Sequence, residues 1–285
     1  MRERRRGPSG QFSERLLLVP RSHFVNNQAG LLPAAWAPAA RGDFALPARG
    51  ALLAGMNAFF KISPGIFRAW AGILRGAPDA TLLLAKYQYH SAAAANLRAA
   101  ATKLGVAPER ILFADKTESL VDHIRRLSLA AAFLDTHTYN AHTLAVDALW
   151  AGAPLVSLPG TALAQRVSAS LLAAEGLGAT LARTLDDYVA ITEALVRSGG
   201  GGAERLRARF ARVREGATGG GGVFDCAAFA ARLKRALATS AEAAALAGSP
   251  SGGGGGGGLA SAHLVVAGHS GRAMPVALGE GVPAL

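Results

Sequence analysis

The sequence predicts an α/β domain: a doubly wound, Rossmann-like parallel sheet. Three observations carry that expectation. Five segments between residues 50 and 159 are continuous short apolar runs, the pattern of strands buried on both faces. Segments with helical spacing separate them, which implies parallel pairing through crossovers. Right-handed crossovers then place helices on both faces of the sheet.

The elements follow in order. Residues 50–57, GALLAGMN, read as a strand. Ser63 and Pro64 supply an N-cap and a first-turn proline. Ile66, Phe67, Trp70, Ile73 and Leu74 then recur at helical spacing, and Gly76 and Pro78 end the helix. Residues 81–87 form a strand, and 92–104 a helix ending at Gly105. Strands at 110–115, 129–135 and 154–159 alternate with helices at 117–128, 142–151 and 161–175. Further helices are expected at 184–198, 203–215 and 223–246.

This places the folded body at residues 12–248, without internal repeats. Residues 1–11 read as a disordered basic start, and 249–285 as a flexible Gly-rich tail. Glycine runs at 199–202 and 219–222 read as loop insertions. They are too monotonous to cradle phosphate, which needs glycine at defined positions.

The composition narrows the classes. Cys226 is the one cysteine, so an intramolecular disulfide framework is excluded and a reducing compartment, cytoplasmic or nuclear, is expected. The Arg-rich start leaves organelle targeting open. No apolar run approaches the ~20 residues of a membrane span, so no membrane association is expected. The net charge of +11 suits an anionic partner. It also fits a coding bias toward arginine. No aromatic-interleaved basic stripe or RNA-binding motif accompanies it, which argues against nucleic acid. Zinc-ligand spacing, G-x-S-x-G and Walker sequences are absent, so no metal or cofactor is expected.

Ligands in doubly wound sheets bind beyond the carboxyl ends of the strands. Residues 55–61, 86–90, 114–120 and 135–143 are therefore the places to look. The stretch FLDTHTYNAHTLAVDALWAG, residues 133–152, runs from a buried strand through a polar cluster into a buried helix. His142 and Thr143 fall at the helix start, where free backbone N–H groups favour an anion. Asp147, about one turn further in, could accept from a sugar diol. Lys61 follows the first strand and can reach the same crevice as a point charge. His123 and Arg126 are three apart and share a helix face suited to a base. Each has a plainer reading. Asn140 or Thr143 can simply cap the helix, and Lys61 and the basic face can be solvated.

Five blocks resemble one family. NAFFKISPGIFRAWAGILRGAPDATLLL, GVAPERILF, HIRRLSLAAAFLDTHTYNAHTLAVDALWAGAPLVSLPG, LAQRVSASLL and VFDCAAFAARL occur in order. They resemble the C-terminal half of the catalytic region of protein O-GlcNAc transferases and their SPINDLY-type relatives. FSERLLLVPRSHFVNN, residues 12–27, is similar to the segment before it. The resemblance implies the C-terminal lobe of a GT-B glycosyltransferase. It implies inverting, metal-independent transfer of GlcNAc from UDP-GlcNAc to serine and threonine hydroxyls of proteins, or GDP-fucose as donor in a SPINDLY-type enzyme. It assigns Lys61, His142 and Thr143 to the diphosphate, His123 and Arg126 to the base, and Asp147 to the ribose. Ala58, Leu120, Arg125 and Leu144 flank these positions. Three of them depart from the family: Ala58 replaces a glutamine, Leu120 a lysine, and Leu144 the second threonine of His-Thr-Thr. The family's proposed catalytic histidine belongs to an N-terminal lobe and its tetratricopeptide repeats recruit substrates; the 285 residues contain neither. The chain on its own is therefore expected to bind donor without completing transfer. A non-catalytic nucleotide-sugar-binding fragment, a degenerate paralogue, or an interaction module using the basic surface are the alternatives.

Overall fold

The computed structural model describes residues 17–24, 26–33, 35–86, 91–197, 201–215, 222–248, 263–265 and 274–276. The basic start expected at 1–11 lies outside them, as do 199–200 and 219–221 of the glycine-rich insertions. Gly201 and Gly202 do not form a loop: they open a helix.

The chain enters through a short strand β1 (Leu17–Leu18) and a one-turn helix α1 (Gln28–Leu31). The α/β body follows as β2 (Leu52–Gly55), α2 (Pro64–Gly76), β3 (Thr81–Ala85), α3 (Ser91–Lys103), β4 (Ile111–Ala114), α4 (Leu120–Ser128), β5 (Ala132–Leu134), α5 (Thr143–Trp150), β6 (Leu155–Val156) and α6 (Val167–Ala174). Helices α7 (Leu185–Val196), α8 (Gly201–Glu215) and α9 (Cys226–Gly248) complete it.

Strands β2 to β6 form one sheet in the order β4-β3-β2-β5-β6, with every pair parallel. The chain starts at the centre with β2, moves outward to β4, then crosses back to β5 and β6. The order reverses between β2 and β5, the point where doubly wound sheets take their ligands at the strands' carboxyl ends.

Alternate strand residues feed two cores. Leu52, Ala54, Leu83, Phe133 and Leu155 face Ile124, Val146, Leu149, Leu171 and Phe210 from α4, α5, α6 and α8. Leu53, Leu82, Leu84, Leu134 and Val156 face Ile66, Trp70, Ile73, Ala101 and Tyr188 from α2, α3 and α7. Both faces of the strands are therefore covered, which is why they read as unbroken apolar runs.

Local signals act as the sequence suggests. The Ser63 hydroxyl accepts from the Ile66 amide, and Pro64 opens α2. Gly105 leaves α3 at φ 75°, a left-handed exit that glycine adopts at little cost. Two boundaries differ. Residues 129–131 belong to the exit from α4, because Leu129 and Ala130 bond back to carbonyls of Arg126 and Leu127. The helix expected over 161–175 begins as a 3-10 turn, Leu163–Gln165, and α6 starts only after Arg166. There the Gln165 side chain accepts from the Thr161 and Ala162 amides, and Arg166 Nη1 donates to Gly160 O.

At the sheet's amino edge, arginines bridge backbone carbonyls. Arg110 donates to Leu74 O, Ala77 O and Ala80 O at 2.6–2.9 Å. Arg41 donates to Pro47 O, Arg49 O and Gly50 O, and Arg207 to Leu195 O. A cavity of about 590 Å³ opens on this edge, and Arg41 and Arg207 are in its wall.

Two short strands fall within the stretch expected to be a flexible tail. β7 (His263–Val265) pairs parallel with β1 and antiparallel with β8 (Met274–Val276). β7 lies in AHLVVAG, the tail's one apolar run. The rest of 249–285 lies outside the described residues, apart from these two strands.

Candidate functional site

The loops after β2 and β5 flank the reversal point and are tied to each other. Asn57 Nδ2 donates to Thr136 Oγ1 at 2.8 Å and to Asp135 Oδ1 at 3.3 Å. Lys61 Nζ donates to Asn140 O at 3.0 Å, and Thr138 Oγ1 donates to Lys61 O at 3.2 Å. Asp135 organises the second loop. Its Oδ1 accepts from the amides of Thr136 and Ala141, and its Oδ2 from Ser157 Oγ at 2.6 Å. Burial pushes the Asp135 carboxyl above its usual range, and these donors act in the opposite direction. Tyr188, accepting from Trp70 Nε1, donates its hydroxyl to Asp135 O and ties α2 and α7 to the same strand end.

The polar cluster of the 133–152 stretch therefore divides in two. Asp135, Thr136 and Asn140 are buried scaffold. His142 and Thr143 stand at the start of α5, with Tyr139 beside them. His142 is the N-cap residue, and no side chain caps this helix. The expectation that Asn140 or Thr143 caps it does not hold: Asn140 Nδ2 turns back to Thr136 O, and Thr143 is exposed. The first amides of α5 remain available to an anion.

Lys61 and His142 come together around Tyr139. Lys61 Nζ sits 3.7 Å above the Tyr139 ring centroid, and the His142 ring lies 5.1 Å from that ring. Burial lowers the Lys61 pKa, opposed by the Asp135 carboxylate. Burial also lowers the His142 pKa; the Ala164 carbonyl opposes this, while Lys61 and His23 add to it. Phe24 also packs on His142, ring centroids 5.6 Å apart.

Beside this loop pair, at the carboxyl ends of β2, β3 and β4, lies a cavity of about 530 Å³. Met56, Leu120, His123, Arg126 and Leu144 line it. Arg126 is buried, donates from Nη1 to Asp115 O at 2.9 Å, and leaves its Nε without a partner. Burial lowers its pKa against the pull of Asp115. His123 Nε2 lies 3.5 Å from Asp147 Oδ2, within ion-pair reach yet too long to count as a hydrogen bond, and is otherwise unpartnered.

The structure thus gathers Lys61, His142 and Thr143 at one loop pair, with Ala58 at the start of the turn that carries Lys61. It gathers His123, Arg126, Leu120 and Leu144 at the adjoining cavity. Asp147 joins the second group but is not open to solvent: it is 5% exposed, and Gln28 Nε2 donates to its Oδ1 at 3.1 Å. Arg125 points elsewhere. It pairs with Asp43 at 2.6 Å and Asp122 at 2.9 Å and donates to Ala37 O, so its guanidinium anchors the segment before β2. Sequence reasoning missed Tyr139, Phe24 and Gln28. Tyr139 sat within the singled-out stretch, an aromatic among polar neighbours. No periodicity marks Phe24, in irregular chain, or Gln28, at the start of the one-turn α1.

The two cavities lie on opposite edges. The arginines in the wall of the amino-edge one are already engaged, Arg41 and Arg207 with carbonyls and Arg197 with Glu193. The carboxyl-edge cavity has unpartnered donors, and it adjoins the loop pair at the reversal point.

Residues 27–233 match the model of glycosyl transferase family 41. The chain belongs to that family. It is 36% identical over 183 residues to a probable UDP-N-acetylglucosamine–peptide N-acetylglucosaminyltransferase SEC of Arabidopsis thaliana, covering 62% of this chain and 18% of that protein. It is 34% identical over 151 residues to the UDP-N-acetylglucosamine–peptide N-acetylglucosaminyltransferase of Caenorhabditis elegans, covering 53% of this chain and 13% of that one. Among solved structures, a mutant O-GlcNAc transferase of Thermobaculum terrenum superposes with a TM-score of 0.61 and 29% identity, over 71% of this chain and 36% of that chain. The family 41 chain therefore spans less than a fifth of the length of these curated relatives. Its parallel sheet is that of one lobe of a GT-B glycosyltransferase. Among the described residues, no helix is long and apolar enough to cross a membrane.

Proposed function

We propose that this chain binds the donor of a protein O-linked glycosyltransferase, with UDP-GlcNAc as the nucleotide sugar and serine or threonine hydroxyls of proteins as acceptors. The observation that carries the reading is the convergence of Lys61 and His142 on the loop pair beside the His123–Arg126 cavity. The diphosphate would lie at the start of α5, with the base in the cavity and the ribose toward Asp147.

The chemistry follows from the groups on offer. Inverting transfer breaks the bond between the anomeric carbon and the diphosphate as the acceptor oxygen attacks the opposite face. Negative charge grows on the leaving diphosphate. Preorganised donors aimed at such charge are worth more in a water-poor site than in water. The Lys61 ammonium, the α5 amides and the His142 imidazole are such donors, and none requires a metal. The residues of this chain act on the leaving-group side. The acceptor hydroxyl and the base that takes its proton would be placed by the family's other lobe. Without that placement, the gain from proximity and orientation is lost.

A second reading, a donor-binding lobe with weakened affinity, draws on Leu120 and Leu144. Both present hydrocarbon to the cavity where the family has hydrogen-bond donors.

Calorimetry with UDP and GDP, with and without chelator, tests the binding step. UDP is expected to bind equally well under both conditions and more tightly than GDP. Loss of binding on chelation would overturn the metal-free reading, and tighter GDP binding would favour a SPINDLY-type donor. Radiolabelled sugar transfer to a protein acceptor tests the second step. The 285 residues alone are expected to give background transfer. Transfer above background, abolished in Lys61→Ala, would show that they suffice.

A further inference from the structure

The segment ahead of β2 is pinned to α6 and α5. Ser22 Oγ meets Ser170 Oγ on α6 at 3.0 Å, and Phe24 packs on His142. Gln28 then reaches Asp147 on α5. Gln28 is 3% exposed and Asp147 5% exposed, so their contact is a buried one made across 119 residues of sequence.

The two oxygens of Asp147 have different neighbours. Oδ1 accepts from Gln28 Nε2 at 3.1 Å, and Oδ2 faces His123 Nε2 at 3.5 Å. A hydrogen bond at one oxygen restrains rotation about the carboxylate's χ2 bond, so the contact to Gln28 favours the orientation of the other oxygen. Here it points at the ring that lines the cavity. The Gln28 carbonyl, Oε1, is buried with no partner. The amide therefore satisfies a buried carboxylate oxygen while its own carbonyl stays unpaired, so its bond goes to Asp147. The retained donor is explained by what it does to Asp147.

We infer that Gln28 is a positioning residue for the nucleotide. It fixes the Asp147 carboxylate so that the ribose contact and the His123 side of the base pocket are set as one unit. The inference rests on the proposed nucleotide site. It adds a residue that none of the pocket's own walls supplies.

The test compares UDP with 2′,3′-dideoxy-UDP, which lacks the hydroxyls Asp147 would accept from. Binding to the full 285-residue chain is measured by calorimetry, with thermal unfolding in parallel. The unaltered chain is expected to prefer UDP about ten-fold, the scale of one hydrogen bond to a charged group. Gln28→Met should lose most of that preference, by weakening UDP while leaving the dideoxy nucleotide nearly unchanged. Gln28→Glu, which sets a second carboxylate against Asp147, should do the same. Should Gln28→Met fail to fold, Gln28→Asn keeps the amide but withdraws it by one methylene and gives the same reading. Equal weakening of both nucleotides would mean a general packing role and overturn the inference. An unchanged preference would overturn it too. A chain that binds neither nucleotide before any substitution would instead remove the nucleotide site itself, and this inference with it.

Discussion

Replacing Lys61 with methionine keeps most of the side chain's volume and removes its ammonium. In the free protein that group makes one bond, to Asn140 O at 3.0 Å, and lies over the Tyr139 ring at 3.7 Å. A bond of this kind contributes about 0.5–1.5 kcal/mol and a partly exposed cation–π contact about 0.5–1 kcal/mol. Relief of the half-buried charge's desolvation offsets part of the loss. The net cost to folding should be below about 1 kcal/mol, a fall in Tm of no more than about 4 °C for a domain of this size. The bound diphosphate changes the scale. A charge-assisted bond is worth about 1.5–3 kcal/mol, and releasing Asn140 O takes back roughly 1 kcal/mol. The remainder is a loss of about ten-fold in UDP affinity. Calorimetry reads the affinity, and scanning calorimetry on the same preparation reads Tm. Lys61→Arg, which retains the charge, should bind more tightly than Lys61→Met. Unchanged affinity in Lys61→Met, with a Tm several degrees lower, would refute the argument. Lys61 would then be a tie between the two loops, and the diphosphate would have to lie elsewhere.

Two further outcomes depend on pH. Burial holds the His142 imidazole below its usual value, so it is largely neutral near neutrality, and a bound diphosphate would favour its charged form. UDP-GlcNAc is the right ligand, because its doubly esterified diphosphate does not itself titrate in this range. Its affinity should rise as pH falls from about 7.5 to about 5.5, with proton uptake measurable in buffers of different ionisation enthalpy. In His142→Asn that uptake should vanish; if it persists unchanged, another group is responsible. The second outcome concerns Asp135, whose folded pKa lies above the unfolded value near 3.8 because of burial. A carboxyl raised on folding binds its proton more tightly in the native state. Its contribution to stability is therefore largest at low pH, declines as pH rises from the unfolded toward the folded pKa, and is flat above that. Urea unfolding of the wild type and of Asp135→Asn should differ by an amount that shifts in the wild type's favour as pH falls through this window. A difference that stays constant across it would show that Asp135 does not titrate as its burial requires.

The sheet was legible because its strands are covered twice. Leu82, Leu83 and Leu84 serve alternate faces, and no polar residue is needed on either. Ser63–Pro64 and Gly105 marked helix ends through chemistry that acts within a few residues. The neighbourhood of the candidate site was legible: the strand-end rule named four loops, and the resemblance placed Lys61 after β2 and His142 and Thr143 after β5. What each polar residue does there was not legible. Asp135 and Asn140 stand in the same run as His142, and only the fold shows that two are scaffold and one faces the crevice. Asp147 read as an open ribose acceptor, but a side chain 119 residues away closes on it. Arg125 and Arg126 are neighbours with opposite fates, because adjacent residues on a helix point about 100° apart. Contacts of this kind depend on distant segments meeting, and spacing along the chain carries no trace of them.

The arginines at the sheet's amino edge give a different meaning to the chain's basic character. Arg110 spans three carbonyls and Arg41 three more. A lysine is a point charge on a flexible stem and cannot hold so fixed a fan of acceptors. Substituting lysine at these two positions would leave the net charge at +11 and still unfasten the turns that end α2 and precede β2. Arginine richness is thus partly an architectural material, a set of clamps for peptide oxygens. Formal charge is a poor measure of what such a surface offers to a passing polyanion.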